Sequence, residues 1–256
     1  MGTVQRPDVS AARIEVRRLT SLAEYDACVE LEKTVWGHEI TVPSPIFVVA
    51  AETGGQVLGA FEGGRMIGFT LALAGIHGDK PFLHSHMTAV LPERQNAGIG
   101  RMLKLLQRED ALARGINLVE WTFDPLELRN AYFNLVRLGA VVRRMIPNCY
   151  GITESPLHAG LPTDRLVAEW WLDSARVKKT LAGTTAAASE AAVRISVPAD
   201  IGEWKHKDQE RALEVQAGIR EQFEGWFGQG YVATSFERGE SFARYRLEPP
   251  KASADK

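Results

Sequence analysis

Residues 82–123 constrain the fold more than any other stretch of this chain. Phe82 to Val90 reads as a strand, with Phe82, His84, His86 and Thr88 on one face. A turn follows, Val90-Leu91-Pro92-Glu93-Arg94-Gln95-Asn96-Ala97-Gly98-Ile99-Gly100. Ile99, Met102, Leu103, Leu106 and Ala113 then make an apolar stripe at helical spacing, and Gly115 closes that helix. Leu118 to Phe123 is the next strand. Strand, helix and strand in this order form a parallel crossover, which is right-handed in nearly all proteins. The chain must therefore build a sheet with helices packed on it.

The flanking segments fix the class further. Arg13 to Leu19 places Ile14 and Val16 between charged residues, as a strand does. Ser21 and Glu24 have capping-box spacing ahead of a helix that runs to about Val35. Trp36 to Pro45 holds Gly37, Pro43 and Pro45 and reads as a loop. Gln56–Phe61 and Met66–Gly75 form two strands about Gly63-Gly64, a hairpin signal. A helix over Leu128–Leu138 stops at Gly139, and Ala140–Ile146 and Arg165–Leu172 are strands. The order β-α-ββ-β-α-β-α-β-β predicts an α/β fold with a mixed central sheet.

The remainder divides by composition. Residues 1–12 and 249–256 read as tails, and residues 13–174 as the main domain. The Ala-, Gly-, Thr- and Ser-rich stretch from Ala182 to Ser189 predicts a linker over residues 175–192. Residues 193–248 then repeat the order β-α-β-β with which the chain begins. Arg194-Ile195-x-Val197 echoes Arg13-Ile14-x-Val16, so this extension reads either as a degenerate half-copy docked on the main sheet or as a surface for a second chain, which makes a homodimer one candidate assembly.

Composition excludes several classes. Thirty Lys and Arg against 32 Asp and Glu give a net charge of −2, and the tryptophans lie outside any basic cluster, so nucleic acid is not an expected partner. No segment approaches the ~18 uninterrupted apolar residues of a membrane span, and residues 1–8 lack an apolar signal core, so the cytoplasm is the expected compartment and no membrane partner is expected. Two cysteines, Cys28 and Cys149, make neither a disulfide framework nor a zinc site.

The turn at 90–100 carries the chemistry. A helix start leaves backbone N–H groups without intrahelical acceptors and adds the positive end of the helix dipole, a combination suited to phosphate. Neither G-x-G-x-x-G nor the Walker pattern is present. The pattern V-x-P-x-x-Q-x-x-G-x-G resembles the acyl-CoA pyrophosphate loop of the GNAT superfamily of N-acyltransferases. The order of elements over Arg13–Leu172 is similar too, about two thirds of the chain. The runs Glu120-Trp121-Thr122-Phe123-Asp124-Pro125-Leu126 and Arg165-Leu166-Val167-Ala168-Glu169-Trp170-Trp171 look like a bacterial branch of it that carries a C-terminal extension.

The resemblance implies an acyl-CoA-dependent N-acyltransferase, most simply one using acetyl-CoA and an amine acceptor, with no metal. It implies that Gln95, Asn96, Ala97, Gly98, Ile99, Gly100 and Arg101 hold the pyrophosphate. Met87, Thr88, Ala89 and Val90 would pair their backbone with the pantetheine amides, and Asn130 or Asn134 would contact it. The general base is sought on the His84/His86 face or at Glu120, with Asp124 as another carboxylate on that strand; His86 and Glu120 lead. Trp36, His38 and Glu39 fall in a loop that covers the acceptor site in this fold. Aligned on Gly139, Leu135 stands where the family has its acidic tyrosine, and Leu128 where it has asparagine. Tyr150 is the substitute candidate for the acid. The same departure at Leu135 supports a second reading, a non-catalytic acyl-CoA sensor or scaffold; a nucleotide- or phosphate-binding module is a third.

Overall fold

The computed structural model describes residues 13–37, 41–152, 158–184 and 191–250. The chain forms two compact units, Met1–Ala74 with Ser85–Ala113, and Gly75–His84 with Arg114–Lys256. Two strands, β3 (Arg65–His77) and β4 (Lys80–Val90), run from one unit into the other.

In the first unit, β1 (Ile14–Arg18) pairs antiparallel with β2 (Gln56–Glu62), and β2 with β3. Strand order is β1-β2-β3-β4. Helix α1 (Leu22–Trp36) begins at the expected capping box: the Ser21 hydroxyl accepts from Glu24 N–H, and the Glu24 carboxylate accepts from Ser21 N–H. Hydrogen bonding by Thr20 N–H, together with Arg17 and Ser21, pulls the Glu24 carboxyl down to about 2 despite its partial burial. Helix α2 (Ser44–Glu52) lies in and beyond the stretch read as a loop. Pro43 and Pro45 sit at its N-cap and second position, where a missing N–H costs nothing. Its Phe47 is fully buried, 6.2 Å from Tyr25 and 5.7 Å from Phe69, ring centre to ring centre. Helix α3 (Ile99–Ala113) buries the predicted stripe at Ile99 and Leu103 in the same core as Leu58, Ile67 and Phe69.

In the second unit the strand order is β4-β5-β7-β6-β9-β10-β8, with β5 (Leu118–Phe123), β6 (Val141–Ile146), β7 (Arg165–Trp171), β8 (Val193–Pro198), β9 (Val232–Glu237) and β10 (Phe242–Glu248). The β4–β5 pair is parallel and the others are antiparallel, so the sheet is mixed as expected. Trp170 is fully buried, donates to Leu138 O at 2.8 Å and meets Trp121 edge-on. The predicted 128–138 helix is α4 (Leu128–Tyr132) continued by a π turn, Phe133–Arg137.

Two readings of the C-terminal third change. Within the expected 175–192 linker, α5 (Ala175–Leu181) is a helix, capped by Ser174 and buried at Val177; residues 185–190 lie outside the described residues. The extension, β8, α6 (Ile201–Lys207), α7 (Gln209–Gly228), β9 and β10, continues the sheet through β9 against β6. It is no half-copy in topology. The first strand of the chain pairs with the near strand of its hairpin, β2, whereas β8 pairs with the far strand, β10. The order of elements repeats and the order of strands does not. The expected tail residues 1–12 and 251–256 lie outside the described residues. Among the described residues no helix is long and apolar enough to cross a membrane.

Candidate active site

The turn after β4 is built in three steps. Leu91 N–H donates to Ile67 O at 3.0 Å and fixes the end of the strand. Pro92–Arg94 makes one 3₁₀ turn, closed by Arg94 N–H on Leu91 O at 2.8 Å. Asn96 and Gly98 take left-handed conformations, with φ of 64° and 83°, and Met102 N–H on Gly98 O opens the α3 ladder. The N–H groups of Ile99, Gly100 and Arg101 therefore precede the first intrahelical bond. Ile99 is buried and anchors the helix start, while Gln95, Asn96, Ala97 and Gly98 are exposed. Left-handed φ accounts for glycine at 98. Nothing in the fold demands it at 100: a Cβ there would touch no atom within 4 Å. An added Cβ at either position would meet open space.

The parallel β4–β5 ladder consists of two register pairs, Leu83 with Val119 and His84 with Glu120. Beyond them, Trp121 to Phe123 keep only their β7 partners in the register. Met87, Thr88, Ala89 and Val90 follow this point on β4. The Thr70 hydroxyl reaches Met87 O at 2.9 Å and Thr88 Oγ1 at 2.8 Å.

No family model matches the sequence, and no curated protein matches it. Solved structures do. YncA of Salmonella typhimurium, solved with its cofactor acetyl-CoA, is 18% identical over 63% of this chain and 95% of its own, with a TM-score of 0.52. The protein smu.2055 of Streptococcus mutans is 15% identical over 62% and 99%, also at 0.52. A GNAT family acetyltransferase of Elizabethkingia anophelis with acetyl-CoA bound is 16% identical over 62% and 97%, at 0.48. The two likenesses at 0.52 show the fold. The chain has the GNAT fold.

On this GNAT fold the predicted catalytic residues fall as follows. The Glu120 side chain is nine-tenths buried, accepts from Arg144 Nη2 at 3.4 Å, and has Oε2 3.2 Å from His77 Nε2. Its register neighbours are His84 on β4 and Glu169 on β7, the latter paired with Arg143. The His77 ring is held by parallel stacking on Phe82, 3.9 Å between centres. Two residues along the same face of β5, Thr122 Oγ1 lies 2.9 Å from Tyr150 Oη. Glu120 and Tyr150 thus share one face of the second unit. His86 belongs to the first unit; its ring is exposed, and the protein packed around it lowers its pKa. Asp124 is a turn residue: Oδ1 caps Leu126 N–H at 2.8 Å and Oδ2 binds Lys205 at 2.8 Å.

Tyr150 is well fastened. Its N–H donates to Thr163 Oγ1 at 2.8 Å, and the Arg165 guanidinium lies 5.4 Å from its ring centre. Asn148 N–H donates to Asp164 Oδ1 at 2.9 Å, and Asp164, fully buried, takes Arg220 Nε of α7 at 2.8 Å. Asn130 is exposed on α4, Asn134 is buried, and Tyr132 meets Arg238 4.3 Å from its ring centre. Leu135 is a core residue, buried at 1% exposure. His38 and Glu39 lie outside the described residues. Sequence reasoning missed His77, Arg144 and Asp164, which reach the site from separate strands and loops. Among the described residues no three His, Cys, Asp or Glu side chains cluster as metal ligands.

Proposed function

We propose that this protein is an acyl-CoA-dependent N-acyltransferase that moves an acetyl group from acetyl-CoA to an amine in one direct attack. The observation that carries this reading is the α3 start: three N–H groups ahead of the helix ladder, with open space at Gly98 and Gly100. Acetyl-CoA, when bound, supplies the acyl group as a thioester open to an amine. The N–H groups from Asn96 to Arg101 take the pyrophosphate, helped by the helix dipole, whereas Gln95 N–H is already donated to Pro92 O at 3.3 Å and leaves that residue only its side chain to offer. Met87–Val90 offer backbone groups to the pantetheine, and Asn130 a side-chain amide. Glu120 or His86 accepts the proton of the incoming ammonium. Tyr150 Oη, oriented by Thr122, donates to the leaving thiolate in place of the missing tyrosine at 135. We place the enzyme in the cytoplasm, where thiols such as Cys28 and Cys149 stay reduced.

Buried Leu135 favours one rival, a GNAT-fold module that binds acyl-CoA without turnover. Thiol release from acetyl-CoA against a panel of primary amines separates the two. Amine-dependent release supports the enzyme. Tight acetyl-CoA binding by calorimetry with no release from any amine leaves the sensor. If release occurs, pH–rate profiles of Glu120→Gln and His86→Ala assign the base: the variant that loses the ascending limb carries it.

A further inference from the structure

A cavity of about 250 Å³ opens in the second unit, away in sequence from the CoA turn. Arg176, Lys179 and Thr180 present one face of α5 to it, Ser235 comes from β9 and Arg246 from β10. Ser235 and Arg246 are register partners.

The charges around this cavity do not balance. Arg176 is fixed in its wall, donating through Nε to Gly139 O at 3.0 Å and through Nη2 to Leu135 O and Thr234 O. Those carbonyls orient the guanidinium without cancelling its charge. Burial, and then the nearby Arg246, hold its pKa below the ordinary value. Arg246 has one carboxylate near it, Glu248 at 3.1 Å, misaligned for hydrogen bonding, so its buried Nε has no acceptor among the described residues. Thr234 Oγ1 is buried and unpartnered there too. Lys179 has no ion-pair partner among the described residues. Three cations, of which Lys179 is exposed and Arg176 and Arg246 are partly buried, stand against one carboxylate, which leaves an excess of positive charge around the cavity.

We propose that this cavity binds a phosphate-type dianion, gripped by Lys179 and the Arg246 fork with the Ser235 and Thr180 hydroxyls as neutral donors. The site shares no residue with the Gln95–Arg101 turn, so it stands independently of the acyltransferase reading.

The test is calorimetric titration of inorganic phosphate, and separately of glycerol 1-phosphate, with dephospho-coenzyme A, which has the pyrophosphate but no phosphomonoester, present in excess to occupy the turn. The proteins are the wild type, a Lys179→Gln, Arg246→Gln double variant, and Ser235→Asp. One saturable site is expected in the wild type, at least tenfold weaker in the double variant. Ser235→Asp puts a carboxylate in the cavity and is expected to abolish binding while raising the melting temperature, which shows that lost binding is not lost folding. Tighter binding of glycerol 1-phosphate than of phosphate makes the ligand a phosphomonoester; equal binding makes it free phosphate. No saturable site in the wild type, or equal affinity in all three proteins, overturns the proposal. Failure of dephospho-coenzyme A to bind counts against the acyltransferase reading alone, because the contrast between variants is still read.

Discussion

Lys104 of α3 is buried beneath β4, with Nζ donating to Ser85 Oγ at 2.7 Å and to Gln107 Oε1 at 3.0 Å. Removal from water pushes its pKa down from 10.5 to about 7. Between about 7 and 10.5 the unfolded chain holds this proton and the folded chain does not. Unfolding then takes up a proton, so stability rises with pH across that window and is flat below it. The full effect is 3.5 pH units at about 1.4 kcal/mol each, roughly 5 kcal/mol. Lys104→Met removes the titration and keeps most of the volume. It also strips the donor from two buried oxygens, at about 1–3 kcal/mol each. The net change at pH 7 is therefore small, but its pH dependence is not. Urea denaturation of both proteins from pH 6 to pH 10, followed by circular dichroism, reads the difference directly. Wild-type stability relative to Lys104→Met is expected to climb by roughly 1 kcal/mol per pH unit from about pH 7. A difference that stays constant from pH 6.5 to 9.5 would refute the reasoning.

Replacing Gly100 with Val is expected to weaken acetyl-CoA binding at least tenfold by calorimetry with the melting temperature nearly unchanged, since the added side chain meets open space in the fold. Tyr150→Phe keeps the ring beside Arg165 and loses the hydroxyl on Thr122; kcat is expected to fall at least tenfold while KM for acetyl-CoA holds. Glu32 is buried with one carboxyl oxygen unpartnered among the described residues, and burial raises it to about 7. Between 4.5 and about 7 the folded chain holds the extra proton, so wild-type stability falls with rising pH there; relative to Glu32→Gln, urea midpoints should show that fall.

What was legible in the sequence was local. Ser21 and Glu24 announced a cap because both partners lie within one turn, and the 90–100 turn announced its own backbone. Helix α2 was hidden because Pro43 and Pro45 look like loop residues and Ile46-Phe47-Val48-Val49 has no amphipathic period; Tyr25 and Phe69, from other elements, are what hold Phe47. The carboxylate at Glu120 was visible on its strand, but its partners His77 and Arg144 lie 43 and 24 residues away, beyond any periodicity. The extension shows the same limit: β-α-β-β was readable from turns and stripes, whereas the choice of β10 over β9 as neighbour of β8 is made by long-range pairing.

The loop that carries Tyr150 is tied to Thr163 and Asp164, and Asp164 to Arg220 of α7. Cys149 N–H also donates to Thr163 O at 2.9 Å. A surface loop would ordinarily open far below the global unfolding free energy. Here the Asn148 amide is bound to the buried carboxylate that the helix seventy residues downstream holds, and the amides of Cys149 and Tyr150 are bound to its neighbour Thr163. The loop and α7 are therefore linked through Asp164, and hydrogen exchange at Asn148 is expected to slow toward that of the helix. Loss of the Arg220 contact is expected to loosen this loop and, with it, the hold of the Tyr150 hydroxyl on Thr122.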